Sequence, residues 1–297
     1  MRQLILSALL AMAANAAAAA DYPEAAQGDF SITGFQFASG ERLPELRVHY
    51  RTIGQPRRDA HGVVRNAVLI LHGTGGSGAN FIRPEFAGEL FGSSQPLDAG
   101  KYFLILPDGI GHGQSSKPSD GLHAHFPRYG YRDMISAHYR LLTEGLKVNH
   151  LRLVMGTSMG GMHTWLWGAR YPDFMDALLP LASLPVQISG RNRVWRRTIS
   201  DAIRNDPDWH GGEYPRQPPS LRTAEEIYFF MSSNPLLRWQ QMPDRDTSDA
   251  VLDARQCDHD VSIVVIVRAG DGRCRGGQTP SKVSMMNMRA PQQGHGR

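Results

Sequence analysis

Cysteine is nearly absent from this 297-residue chain: there are two, Cys257 and Cys274. A small scaffold held together by disulfides is therefore excluded, because such folds need several bridges to replace a missing core. The two read as separate thiols, although an exported compartment permits one bridge between them. No C-x-x-C or H-E-x-x-H pattern occurs, so neither a metal nor any other cofactor is expected. Long apolar runs are also lacking. The longest, residues 4–14, is broken only by Ser7 and is too short to cross a bilayer comfortably. The body of the chain lacks net charge as well. Residues 254–297 hold seven basic and three acidic side chains, which accounts for the whole excess of +4 and leaves 25 of each sign elsewhere. A nucleic-acid partner would need a basic face on the folded domain, and none is expected.

What is present has the composition of a globular protein, 41% hydrophobic and 20% charged. Residues 1–20 read as a signal peptide. Arg2 gives the positive end, residues 4–14 the apolar centre and Ala16 to Ala20 the small-residue cleavage site before Asp21. The mature protein is then exported, periplasmic or secreted, and not held in a membrane. Residues 21–253 read as one domain. An extended entry segment over residues 21–50 is followed by a loop from Gly54 to Asn66. Buried strands are predicted at residues 67–71, 102–106, 151–155 and 177–182. Between the second and third, Met134, Ile135, His138, Leu141 and Leu142 recur at helical spacing, with Asp133 placed to cap the start. Strands alternating with helices predict a mostly parallel sheet with right-handed crossovers. Residues 186–250 hold six prolines and no buried-strand run, and read as a helical cap. Residues 254–297 form an atypical basic tail.

The sharpest motif is Gly156-Thr157-Ser158-Met159-Gly160, a G-x-S-x-G between a predicted strand and a predicted helix. A serine hydroxyl is a weak nucleophile, so acyl chemistry needs it exposed beside a base and over donors that stabilise an oxyanion. A tight strand-to-helix turn projects Ser158 in this way, and the first helical N–H, that of Met159, lies near the developing charge. His72-Gly73-Thr74-Gly75-Gly76 follows the first inner strand and is expected to give the second oxyanion donor, the Thr74 N–H. His72 reads as a packing residue beneath that loop. Asp108 and His112, after the second strand, read as loop-stabilising, because this fold places its acid and histidine after the serine. Gly73 to Gly78 also matches G-x-G-x-x-G. That reading, an oxidoreductase binding a dinucleotide, fails because no helix is expected directly after it and the strand-end acid is missing.

Taken together, the elbow through Met162, the run Tyr171-Pro172-Asp173, the segment from Asn205 to Trp209, Gly211-Gly212-Glu213-Tyr214 and His49-Tyr50 resemble the homoserine O-acetyltransferase family of the α/β-hydrolase fold. The resemblance spans about residues 45–253. It implies an α/β-hydrolase fold, mostly parallel sheet with a helical cap, with Ser158 acylated and passing its acyl group to an acceptor. It also matches Arg196, with Arg197 as neighbour, to a cap arginine that holds the acceptor carboxylate. The loops at His72 and at Gly111-His112-Gly113-Gln114-Ser115 look more like those of ester hydrolases, and an exported protein does not meet acetyl-CoA. Ester hydrolysis is therefore preferred to transfer, with a small-molecule ester or acyl donor as partner and the oligomeric state open. In the tail, Asp271 and His295 are the candidate acid and histidine, but only 24 positions separate them. The alternative is a frame-shifted or truncated end lacking the last strands, which leaves an inactive hydrolase-like protein.

Overall fold

The computed structural model describes residues 22–255. The expectations for the signal segment, Cys257, Cys274, Asp271 and His295 lie outside the described residues.

Among the described residues six strands form one sheet: β1 (Ala26–Gln36), β2 (Arg42–Ile53), β3 (Ala67–Leu71), β4 (Phe103–Pro107), β5 (Leu153–Thr157) and β6 (Leu178–Leu181). Their order across the sheet is β1-β2-β4-β3-β5-β6. The entry segment is an antiparallel hairpin, β1 on β2, and β2 also pairs antiparallel with β4. The remaining pairs, β4–β3, β3–β5 and β5–β6, are parallel. Every residue of β3 and β4 is buried, as parallel strands covered on both faces require. Strand alternation splits β3 between two cores. Ala67, Leu69 and Leu71 pack with Ile135, Leu142 and Trp167, whereas Val68 and Ile70 pack with Phe81 and Phe91. At the other side β6 is an edge among the described residues, with Leu179 and Leu181 exposed.

The helices are α1 (Pro84–Leu90), α2 (Tyr131–Arg140), α3 (Met159–Arg170), α4 (Gly190–Arg204), α5 (Leu221–Met231), α6 (Pro235–Gln241) and α7 (Arg245–Arg255). The last four follow β6 without any intervening strand among the described residues. Apolar runs located the strands, but not their ends. The third strand starts two residues later than predicted, because Leu151 instead bridges to Met175 outside the ladder. Asp133 is not the cap of α2. It sits one turn in, where its two oxygens accept the N–H groups of Gly130 and Ala38, while Gly130 occupies the cap position. The stretch after Gly78 is also helical, a 3-10 turn over Gly78–Ile82 capped by Ser77 and followed by α1. The helix expected to be absent there is present, and the proline at the start of α1 is well placed because the first turn needs no N–H from it.

Candidate active site

The turn from β5 into α3 forces Ser158 into a left-handed conformation, φ 53° and ψ −112°. Few residues other than glycine accept such angles, and they persist where packing over-determines them. The packing here is backbone on backbone. A Cβ on Gly156 would lie 2.3 Å from the Gly160 carbonyl carbon, and one on Gly160 would lie 2.0 Å from the Leu71 oxygen. Both positions therefore require glycine. The Ser158 N–H donates to Leu181 O of β6, which pins the turn from the other side. The Ser158 side chain is exposed, and its hydroxyl bonds no histidine among the described residues. Met159, the first residue of α3, has no acceptor for its N–H within the helix.

Gly73 lies directly beside this turn: a Cβ there would sit 3.6 Å from Ser158 Cβ. The next residue, Thr74, is buried. The orientation of its peptide is set by His72. Gly109 N–H donates to His72 Nε2 at 2.9 Å, so the ring proton sits on Nδ1 and donates to Gly73 O at 2.8 Å. In a trans peptide the carbonyl and the following N–H point in opposite directions. Pinning Gly73 O to the imidazole therefore turns the Thr74 N–H away from it. His72 is thus more than the packing residue expected from the sequence.

Asp108 ties the two neighbouring loops together. Its carboxylate accepts the N–H groups of Gly78 at 2.7 Å and Gln114 at 2.8 Å, and Arg51 of β2 lies 3.2 Å away in a buried ion pair. Its carbonyl accepts the Ser115 hydroxyl, which in turn accepts His49 N–H. His112 faces two carbonyls, Ile110 O at 2.9 Å and Thr74 O at 3.2 Å. Four imidazoles, those of His72, His112, His138 and His163, lie buried in this region. Burial holds all four below the usual histidine range, His138 down to about 4. For His112 the neighbouring His72 adds to the effect. The cluster beyond His72 and His112 was not foreseen, since isolated histidines in helical patterns carry no signal of their own.

The cap reaches the site through Arg196 of α4, which is only 8% exposed. Its Nε donates to Asn192 Oδ1 at 2.8 Å and its Nη2 to Thr74 Oγ1 at 3.3 Å, while Nη1 is buried without a hydrogen-bond partner. No carboxylate pairs with it among the described residues. Burial lowers its pKa, opposed by the phenols of Tyr131 and Tyr228 nearby. The structure thus brings Ser158, Met159, Thr74 and Arg196 into one neighbourhood. Arg197, the alternative, pairs instead with Asp201 on the exposed side of α4. Tyr131, Tyr228 and Asn192 are additions that no sequence motif marked. No group of three His, Cys, Asp or Glu side chains among the described residues is placed to hold a metal ion.

Comparison with known proteins gives a consistent set of likenesses. A family model described as "alpha/beta hydrolase fold" matches residues 66–224. A probable acyltransferase of Methanothermobacter thermautotrophicus is 35% identical over 193 residues, which cover 65% of this chain and 59% of that protein. The homoserine O-acetyltransferase of Thermobifida fusca is 35% identical over 195 residues, 61% of this chain and 50% of that one. The chain therefore spans little more than half the length of these relatives. Among solved structures, the homoserine O-acetyltransferase from Bacillus anthracis superposes with a TM-score of 0.69 at 18% identity, covering 82% of this chain and 74% of that one. An acetylester hydrolase from Corynebacterium glutamicum does so with a TM-score of 0.66 at 23% identity, covering 80% and 68%.

Proposed function

The chain belongs to the alpha/beta hydrolase fold family, and from that premise we propose that it cleaves a small-molecule ester through an acyl-enzyme at Ser158. The observation that carries this reading is the left-handed Ser158 at the glycine-walled turn, beside Gly73 and at the head of α3. In the proposed reaction the Ser158 oxygen attacks the ester carbonyl, and the N–H groups of Thr74 and Met159 receive the developing oxyanion. The leaving alcohol takes the proton that the base has removed from Ser158. Water then attacks the acyl-enzyme and regenerates the serine. An alcohol acceptor in place of water makes the same intermediate an O-acyltransferase step, as the names of the curated relatives suggest. The unpaired Nη1 of buried Arg196 favours a carboxylate on the alcohol part of the ester.

The base is assigned to the segment outside the described residues, with His295 as the candidate histidine and Asp271 as its acid. A second reading is an inactive hydrolase-like protein in which no base serves Ser158. A fluorophosphonate decides between them. Stoichiometric labelling that disappears in Ser158→Ala supports the acyl-enzyme. Absence of labelling in the parent chain supports the inactive reading, and labelling that survives the substitution places the nucleophile elsewhere. Export is part of the same proposal. Secreted material is expected to have an intact mass beginning near Asp21, and material retaining residues 1–20 would count against it.

A further inference from the structure

Residues 184–200, which lead from β6 into the cap, hold four arginines and no acid. Arg196 is buried, whereas Arg191, Arg193 and Arg197 are exposed. The same stretch exposes Leu184 by 67%, Val186 by 59% and Val194 by 61%. On α4, Arg191, Val194 and Arg197 recur every third residue and so share one side, away from buried Arg196, Ile199 and Ile203. The Arg191 guanidinium lies over the half-buried Trp195 ring, 4.7 Å from its centroid. Arg197 is partly engaged, because its Nε donates to Asp201, the one acid of the helix. Exposed aliphatic side chains grouped in this way mark an interaction surface, and charge decides what it fits. The remainder of the chain, residues 254–297, carries seven basic and three acidic side chains and is repelled by the same arginines. A second copy docked by this patch sets arginine against arginine, since a two-fold contact pairs a surface with itself. An anionic partner matches. Leu184 and Val186 flank exposed Pro185 on a loop, and side chains protruding separately suit a fluid acyl layer better than the shaped surface of a folded protein. Leu236 and Trp239 of α6 are exposed too, but the one cation there, Arg238, is engaged by the Phe229 ring and Gln241.

We propose that the loop at residues 184–186 and the outer side of α4 dock this protein onto an anionic lipid surface. The docking is peripheral, since no helix among the described residues is long and apolar enough to cross a membrane. Leu184, Val186 and Val194 enter the acyl boundary while Arg191, Arg193 and Arg197 stay at the level of the phosphates. Each cation near such a surface strengthens binding about fivefold, so three give on the order of a hundredfold. The attraction weakens as salt shortens its range. The Ser158 N–H donates to Leu181 O, and the docking loop begins three residues further on. Docking therefore holds the nucleophile turn near a surface where amphiphilic esters collect. That consequence rests on the acyl-enzyme reading above, and the docking itself does not.

Cosedimentation of the full chain with vesicles tests the surface without requiring turnover. Vesicles of equimolar phosphatidylcholine and phosphatidylglycerol are expected to bind it about tenfold or more tightly than pure phosphatidylcholine at low salt, and less so at high salt. Equal binding to both would overturn the proposal. The variant Arg191→Gln with Arg193→Gln is expected to lose about tenfold or more on the anionic vesicles. Leu184→Ser with Val194→Ser is expected to weaken binding at both salt concentrations, because it removes the inserted groups. Anionic-vesicle binding that both variants retain would place the contact elsewhere in this basic chain and overturn the proposal. Substitutions at an uncovered surface shift stability little, so the thermal midpoint of the serine variant is expected to match the parent. A marked drop, or a parent dimer that the serine variant dissociates, would show that the chain itself or a second copy covers the patch and would also overturn it. Ser158→Ala is expected to bind vesicles as the parent does. Failure of Ser158 labelling alongside normal vesicle binding would remove the acyl-enzyme reading and leave the docking surface standing.

Discussion

Arg51 and Asp108 form an ion pair at 3.2 Å with side chains 8% and 0% exposed, and the carboxylate of that pair also holds the N–H groups of Gly78 and Gln114. Two loops and strand β2 thus depend on one buried charge. Breaking a buried pair from one side leaves the other charge uncompensated, which costs about 3–5 kcal/mol. Asp108→Asn is therefore expected to lower the stability of the chain by that order, read from denaturant midpoints. A loss under 1 kcal/mol would mean that Arg51 finds water or another acceptor.

Removing the imidazole that orients the Thr74 peptide, the proposed oxyanion donor, should act on turnover more than on binding. His72→Leu takes a donor from Gly73 O and an acceptor from Gly109 N–H. Loss of one oxyanion donor costs on the order of a hundredfold in kcat or more, and misorientation of the Thr74 peptide should cost about tenfold or more. For a soluble acetate ester, kcat is expected to fall by that factor with KM changed less than threefold. A change confined to KM would assign His72 to substrate binding.

The buried imidazoles predict acid sensitivity. The folded protein keeps His138 neutral, its pKa pushed down to about 4 by burial, whereas an unfolded chain titrates the group near 6.5. Stability from this residue is complete above pH 6.5 and is lost as the pH falls toward 4. At pH 5 the loss is about 2 kcal/mol for this one group. His72, His112 and His163 are lowered in the same direction by the same burial and add to the loss. Thermal midpoints should fall steadily from pH 7 to pH 5, and less steeply in His138→Gln. A midpoint unchanged across that range would show that the imidazoles are hydrated or charged in the folded state.

The cap arginine should discriminate between substrates by charge. Arg196→Ala is expected to cut the ratio of kcat/KM for a carboxylate-bearing ester over that for a neutral ester by about tenfold or more, since charge-assisted bidentate pairs are roughly twice as strong as neutral hydrogen bonds. An equal loss on both esters would assign Arg196 to holding α4 against the sheet through Thr74.

The fold was legible in the sequence, and the site in part, for separable reasons. Fully buried parallel strands such as β3 and β4 write themselves as unbroken apolar runs, and the mostly parallel sheet followed from their alternation with helices, while the α/β-hydrolase fold was what the family resemblance implied. The glycines beside Ser158 were legible because their spacing reflects backbone contacts that admit no side chain. The antiparallel attachment of β2 to β4 was not, because strand direction depends on long-range pairing that composition does not encode. Asp133 was misplaced by three residues because Asp suits both the cap and the first turn of a helix. The bond from Arg196 to Thr74 spans 122 positions, and no local pattern announces a contact of that range.

The crowding around Ser158 also constrains how this protein can vary over generations. Gly156 and Gly160 are closed to every other residue by carbonyl groups of the backbone itself, Gly160 by the neighbouring strand β3. A substitution elsewhere cannot relieve a clash with main chain as it can a clash with a side chain. Compensating pairs of mutations are thus unavailable at either position, and lineages descending from this sequence should keep both glycines whether or not they keep the substrate. Drift in the turn is channelled into Thr157 and Met159, whose side chains alone among the four neighbours of Ser158 have volume to exchange. New specificities would then arise in the cap and the loops, over a turn that selection can discard but not gradually remodel.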